Sequence, residues 1–487
     1  MSGARSRGGR SGEAPAERAA RRAGSPAGAV VTCAAVALAC VLAPRPARAQ
    51  SGAAAARQPA AGAPGDTLTL GTAIRGALER SPDVRSARAA VSGAAADRLA
   101  AWGAFLPRAD ASTSFYRYSF TTVTFLSPEG LSQRLSDPIT DKRRSTSQSL
   151  QLSWDLLRGG RRFAELGATA AESRAASLRV SDAERTAVST VKQAFFDALL
   201  RQRLAEMASD QLEARRQDLE VTRRRYQIAA VDRSDLLGAE IQVHRAELRL
   251  ADARAAAREA ERQLEVAMGR KGEAPDSLAL AEAPPLPDAD SLDANALVRQ
   301  AMGENPALAA FRADAAAASL RKWSARSRYL PTISLGFDLS RSEQLGPNGS
   351  FFTFDPSNHS NSFFVAASWN LFNGFTRHQE AAQAAVAQNQ ALASRSKKSH
   401  EIERDVRNLV AEVRRRQHRL EIQREVADLS RQRVELARQQ FRLGSLSFIE
   451  LQNVIDQATS DEQAVAQELH DARVAWARLE ALVGGGS

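Results

Sequence analysis

Tyr329-Leu-Pro-Thr-Ile-Ser-Leu-Gly-Phe-Asp-Leu-Ser340 follows a long Ala- and Arg-rich run and breaks its helical period. Ile333, Leu335, Phe337 and Leu339 fall on one face, and Thr332, Ser334, Gly336, Asp338 and Ser340 on the other. Alternation with period two predicts a strand, here with one apolar and one polar face. Such a strand belongs either to a small soluble sheet with one wet face or to a sheet with lipid on one side and water on the other.

The stretch has a counterpart, because the chain is duplicated. Ser81-Pro82-Asp-Val pairs with Asn305-Pro306-Ala-Leu, and Phe105-Leu-Pro107 with Tyr329-Leu-Pro331, both 224 residues apart. Ser153-Trp-Asp-Leu-Leu-Arg-Gly159 pairs with Ser368-Trp-Asn-Leu-Phe-Asn-Gly374, Tyr226 with Phe441, Leu236 with Leu451 and Met268-Gly269 with Val483-Gly484, all 215 residues apart. The change of offset falls between the Pro and the Trp, which predicts a longer connecting loop in the first copy, about Arg117 to Ser145, than in the second, Arg341 to Ser362. Each copy (50–269 and 291–487) then reads as two helices, two strands and two very long helices. The Pro-rich segment 270–290 links them.

Strands are expected at about 108–125, 146–157, 331–342 and 361–372. Leu150, Leu152, Trp154 and Leu156 share one face of the second, and Val365, Ala367, Trp369 and Leu371 one face of the fourth. Strands of about ten residues have the length that crosses a bilayer when tilted. Four strands cannot close a barrel, and lipid does not tolerate an open edge. A membrane reading therefore requires several chains to share one barrel.

The long helices, expected at about 160–227, 232–268, 375–442 and 446–483, carry heptads. Val191, Ala198, Ala205, Leu212, Leu219 and Tyr226 recur every seventh place, as do Val406, Val413, Leu420, Ala427, Val434 and Phe441. The descending helices repeat Leu236, Val243, Leu250, Ala257, Leu264 and Leu451, Ala458, Val465, Ala472, Leu479. Sustained heptads imply coiled-coil packing.

The net charge of +10 is concentrated at the N-terminus, where residues 1–49 hold eight Arg and two acidic residues. Elsewhere Arg and Glu are interspersed, as on solvated helix faces, so nucleic acid is not an expected partner. A basic region through Arg22, an apolar stretch from about Ala27 to Ala43 and Ala47-Arg-Ala49 read as a secretory signal cleaved after about Ala49. Both cysteines, Cys33 and Cys40, lie inside it. Ala37-Leu-Ala-Cys40 weakly matches a lipoprotein signal, so lipidation of Cys40 is the minor alternative. The six His form no metal spacing, no nucleotide-binding or nucleophile motif occurs, and no enzyme activity, metal or cofactor is expected.

Taken together, the residues resemble the TolC-like outer-membrane factors over essentially the whole mature chain. Three local matches carry the resemblance: Pro82 and Pro306 opening the second helix of each copy, Leu106-Pro107 and Leu330-Pro331 before the strands, and Trp154 with Gly159-Gly160 and Trp369 with Gly374 after them. The turn Phe441-Arg-Leu-Gly-Ser-Leu-Ser-Phe-Ile-Glu-Leu451 is the strongest match. Tyr226-Gln-Ile-Ala-Ala-Val-Asp-Arg-Ser-Asp-Leu-Leu237 departs from it, with Ala229 in place of Gly.

The resemblance implies a mainly α chain with a transmembrane β-barrel. A homotrimer would close twelve strands in the Gram-negative outer membrane, above a periplasmic α-helical tunnel. Leu150, Leu152, Trp154, Ile333, Leu335, Phe337, Val365 and Trp369 would face lipid. A periplasmic membrane-fusion adaptor would dock at Tyr226, Ile228, Ala229, Phe441, Leu443, Gly444, Ser445 and Leu446. Glu450, Asn453, Asp235 and Ser234 would line the periplasmic mouth, Glu450 as a cation-attracting ring.

The implied function is a passive exit duct of a tripartite efflux pump, driven by an inner-membrane RND or ABC transporter. An exit duct for type I protein secretion is the alternative within the fold. A periplasmic adaptor or a secreted structural coiled coil is the alternative outside it.

Overall fold

The computed structural model describes residues 68–126, 130, 132–229, 231–270, 279–281, 283–345 and 359–484. The expected signal segment, Cys33 and Cys40 lie outside these residues. The elements run α1 (Leu70–Arg80), α2 (Pro82–Gly103), β1 (Arg108–Leu126), β2 (Ser132–Arg158), α3 (Arg161–Gln227), α4 (Arg233–Ala267), then α5 (Ala294–Glu304), α6 (Pro306–Ser327), β3 (Thr332–Leu345), β4 (His359–Ser368), α7 (Thr376–Leu443) and α8 (Phe448–Val483).

Proline sets the first break in each copy. It cannot donate within a helix, and it drives the preceding residue out of the α region. Ser81 and Asn305 take ψ of 127° and 117°, and Pro82 and Pro306 open the next helix at its first position. Asn305 also caps α6 by accepting from the Leu308 amide at 3.2 Å.

The long helices pair as two hairpins, α3 with α4 and α7 with α8. At 67 and 68 residues, α3 and α7 each extend roughly 100 Å. All six heptad positions of α7, from Val406 to Phe441, are buried. In α3 the row is buried at Val191, Ala198 and Leu212 and ends exposed at Tyr226.

The short helices cover the middle of the hairpins in matching ways. Ala73 and Ala77 of α1 pack with Val191, Phe195 and Ala198 of α3 and Leu264 of α4. Ala301 of α5 packs with Ile402, Val406, Val410 and Val413 of α7 and Ala475 and Leu479 of α8. The linker crosses α7, where Gln417 donates to the Pro287 carbonyl at 2.5 Å and accepts from the Ala289 amide at 2.7 Å.

The flanking helices α2 and α6 differ. Helix α6 lies between α3 and α7 and buries Leu308, Ala310, Ala313, Ala315 and Ala317. Helix α2 packs on α3 and buries only Val84 among its 22 residues.

The four strands form one antiparallel sheet in the order β1-β2-β3-β4, so β1 and β4 are its edges. The first strand runs to Leu126, close to its expected end at 125, and the second begins at Ser132 rather than near 146, so the return half of the expected loop is ladder too: Arg117 pairs with Arg144 and Thr122 with Ile139. Charge and hydroxyls there obscure the period, yet the backbone bonds that make a strand are indifferent to side-chain polarity. Strand β4 ends at Ser368, short of the expected Phe372. There the Trp369 indole turns to the Tyr329 carbonyl, and Arg377 takes the Leu371 carbonyl.

Candidate functional site

Three regions bring together the residues singled out in the sequence: the two helical turns, the apolar face of the sheet, and the joint between sheet and helices.

The turn from α7 to α8 is tightly specified. Gly444 ends α7 with φ of 79°, a left-handed conformation that glycine adopts without a Cβ penalty. Ser447 starts α8, and its hydroxyl accepts from the Glu450 amide at 3.2 Å while the Glu450 carboxylate accepts from the Ser447 amide at 3.1 Å. This reciprocal pair is a capping box. The bonds from Ser447, first its backbone amide and then its hydroxyl, hold the Glu450 carboxyl below the usual range. Glu450 thus has a capping task of its own, independent of any role at a mouth. Asn453 lies exposed one turn further on. Leu443 is 85% exposed, Ser445 is exposed and Leu446 is half-buried.

The turn from α3 to α4 is built differently. Ala229 occupies the position of Gly444 and takes φ of 54°. An L-residue with a Cβ pays about 1–2 kcal/mol for that conformation. Asp232 starts α4 without a side-chain cap bond. Ser234 is exposed and Asp235 half-buried, in the first turn of α4 where a carboxylate suits the helix dipole. Ile228 is 76% exposed, and Tyr226 also faces outward.

The first turn leans on the second. Phe448 is buried in a cluster with Phe441, Leu451, Ile455 and Val434, to which the first hairpin contributes Ala239. A Cβ on Gly238 would sit 3.3 Å from the Phe448 ring. Arg225 of α3 donates to the Phe441 carbonyl at 3.0 Å and lies 4.6 Å from that ring's centre. Further along, Arg215 of α3 reaches Asp456 of α8 at 2.6 Å. Burial lowers the pKa of the Arg215 guanidinium and raises that of the nearby Asp218 carboxyl.

In the sheet, the register gathers the expected lipid-facing residues. Leu152 pairs with Phe337, Trp154 with Leu335, Leu150 with Leu339, Leu335 with Val365, and Ile333 with Ala367. Directly opposed residues share a face. Trp369 lies one residue past β4. A bulge between Asp155 and Leu157 places Leu157, rather than Leu156, opposite Ile333. The other face carries Asp110, Gln151, Asp338 and Ser362 in one row and Ser112, Ser149, Ser340 and Ser360 in the next. Aromatics also lie on that face: Tyr116 and Tyr118 further along β1, and Phe364, whose ring covers Gly336 so closely that a Cβ there would lie 2.1 Å from it.

The joint repeats in both copies. The Trp154 indole donates to the Phe105 carbonyl at 2.9 Å, and the Trp369 indole to the Tyr329 carbonyl at 3.0 Å. Arg162 sits 5.0 Å from the Phe105 ring centre and donates to the Leu156 carbonyl; Arg377 does the same with Tyr329 and Leu371. Sequence reading missed both arginines, although they obey the 215-residue offset. Trp102, Trp154, Trp323 and Trp369, four of the five tryptophans, are exposed around this joint. A ring of amphipathic aromatics is what a membrane–water boundary selects.

Among the described residues, no group of three or more His, Cys, Asp or Glu side chains is placed to hold a metal. No helix there is long and apolar enough to cross a membrane.

The family model described as outer membrane efflux protein matches residues 73–270 and again 297–485. The chain belongs to the outer membrane efflux protein family. Its two matched segments coincide with the two halves of the duplication. Members of this family are channel proteins rather than enzymes.

Several solved structures share the fold of this efflux-family chain. VceC, an outer membrane protein of Vibrio cholerae, is 18% identical, with a TM-score of 0.71 over 86% of this chain and 96% of that one. CusC, solved in a study of folding and transmembrane channel formation, is 19% identical, with a TM-score of 0.72 over 86% of this chain and 92% of that one. The open state of the MtrE outer membrane channel of Neisseria gonorrhoeae is 18% identical, with a TM-score of 0.67 over 86% of this chain and 89% of that one. Among curated protein sequences, none matches.

Proposed function

We propose that the chain is one subunit of a homotrimeric exit duct in a tripartite efflux pump. Three sheets close one twelve-stranded barrel in the outer membrane, and the helical hairpins form a periplasmic tunnel. The observation that carries this reading is the open sheet. It has an apolar face, yet among the described residues β1 and β4 each have one partner strand only. Bare backbone edges are not viable in hydrocarbon, so neighbouring copies must complete the ladder. The flanking helices support the same assembly. Helix α6 is wedged between α3 and α7, whereas α2 packs mainly on α3 and buries only Val84, so the α7 of another copy would fit against it.

In the assembled duct the turns at Ala229 and Gly444 form the inner end. The exposed Ile228, Leu443 and Ile449 there offer an apolar surface to a periplasmic membrane-fusion adaptor. An inner-membrane RND or ABC transporter supplies the energy, and small molecules pass down the polar lumen. The test is the native mass of the protein extracted from outer membranes, with conductance in planar bilayers. Three chains and discrete pores are expected. A solitary, non-conducting chain would overturn the reading.

A further inference from the structure

The two hairpins of the chain meet through α3 and α8, and that seam is tied at two levels. Lys192 holds Glu480 at 2.5 Å, and Gln193 accepts from Arg478 at 3.0 Å. Nearer the turns, Arg215 holds Asp456 at 2.6 Å. Between these levels the helices part. The stretch from Phe196 to Asp210 of α3 and that from Glu462 to Arg473 of α8 enclose a cavity of about 660 Å³, with Arg431 of α7 and Ala283 of the linker completing its wall. That volume lies within the range of small-molecule sites, roughly 300–1,000 Å³.

The duplication shows that the lining is not dictated by helix packing. Phe196, Leu199, Leu200 and Met207 line the cavity from α3, and Val465 and Leu469 from α8. The counterparts 215 residues away are Ala411, Arg414, Arg415 and Ile422 in α7, and Leu250 and Arg254 in α4. A long hairpin helix therefore tolerates arginine at the places of Leu199, Leu200 and Leu469. The chain beside the cavity offers little to fill it. Leu68 donates to the linker at the Ala279 carbonyl, and residues 50–67 and 271–278, which lead to this contact, hold one large apolar side chain, Leu278.

The rim of the cavity is charged, and its cations are already engaged. Arg203 pairs with Glu206 at 2.9 Å, and Arg431 with Asp428 and Glu462, both at 2.8 Å. Arg473 lies 5.9 Å from the Phe196 ring centre and is engaged as well. Asp210 also lines the cavity, and among the described residues no cation pairs with it. An apolar wall beside one unclaimed carboxylate selects a molecule with an apolar body and a single positive charge.

We propose that this cavity binds lipophilic cations, one per chain, with the apolar body against the wall from Phe196 to Leu200 and the positive charge at Asp210. All the lining groups belong to one chain, so binding and assembly are separable.

The test uses the protein extracted from outer membranes into nanodiscs of zwitterionic lipid, with tetraphenylphosphonium as probe and empty nanodiscs as blank. Equilibrium dialysis counts the cation bound per chain, and melting temperature confirms that each variant is folded. Saturable binding of one cation per chain is expected, and Asp210→Asn should weaken it at least about tenfold. Glu213→Gln, one turn along α3 and outside the lining, should match the wild type. Leu199→Arg, which installs the residue of the second copy, should abolish binding by adding a repelling charge to the wall. Tetraphenylborate, of nearly the same shape and opposite charge, should not compete. The inference is overturned by a folded wild type without saturable binding, by equal affinity in Asp210→Asn, by full binding in folded Leu199→Arg, by an equal loss in Glu213→Gln or by competition from tetraphenylborate. Conductance of the same preparations reads the channel proposal separately, so either can fail without the other.

Discussion

The two helical turns descend from one duplicated unit, yet they are held by different means. In the second, Gly444 takes the left-handed position, Ser447 and Glu450 cap each other, and Phe448 plugs the space between the helices. The equivalent positions of the first are Ala229, Asp232, Asp235 and Arg233. That turn has a strained alanine, an N-cap without a side-chain bond and a charge where its twin has a ring. It borrows order through Arg225, which bonds the Phe441 carbonyl, and Ala239, which packs in the Phe448 cluster. Heptads alone are thus enough to preserve a hairpin, while its end can drift when a better-built neighbour supports it.

Four substitutions break or sharpen this contrast, each read by hydrogen exchange of the turns and by helix melting. Phe448→Ala should have the largest effect, about 3–4 kcal/mol, because it empties the shared cluster. Protection should fall at 233–241 as well as at 444–455; loss confined to the second turn would show that the first stands alone. Gly444→Ala should cost about 1–2 kcal/mol by forcing a Cβ into the left-handed region, without disturbing the first turn. Ala229→Gly should act in reverse, stabilising the first turn by about 1 kcal/mol or less, since glycine's freedom in the unfolded chain offsets part of the relief. No gain would mean that the strain at Ala229 is relieved by other contacts.

Glu450→Gln should be the smallest effect, and the one that depends on pH. The Glu450 pKa is depressed in the folded turn, so its contribution is present above the ordinary glutamate value. It is lost as pH falls through the folded value. The wild-type turn should therefore fray on acidification, while the Gln variant responds little.

Much of this architecture was legible because it is periodic and written twice. Pro82 and Pro306 mark the helix breaks, the heptads mark the hairpins, and Ile333 to Leu339 mark the sheet's apolar face. Three features were hidden, each for a physical reason. In the β2 half of the ladder Asp141-Lys-Arg-Arg-Ser145 is polar on both faces, so no alternation reveals it. The bulge at Asp155 and Leu157 shifts a face by one residue, which composition does not record. Glu450 matches a mouth residue and a capping residue equally well on paper; the Ser447 hydroxyl at 2.9 Å from its carboxylate establishes the capping role. Arg162 and Arg377 were recoverable in principle, since their 215-residue spacing was in plain view.

The paired collar of indole, guanidinium and carbonyl at the foot of the sheet has a mechanical corollary. Arg162 and Arg377 hold one end of α3 and of α7 to the carbonyls of Leu156 and Leu371, while the Trp154 and Trp369 indoles tie the ends of β2 and β4 to the segments before β1 and β3. Over an arm of roughly 100 Å, a pivot of about 5° sweeps the tip through about 9 Å. In the proposed duct, small flexing just beneath the collar would thereby be magnified into a change of aperture at the remote end.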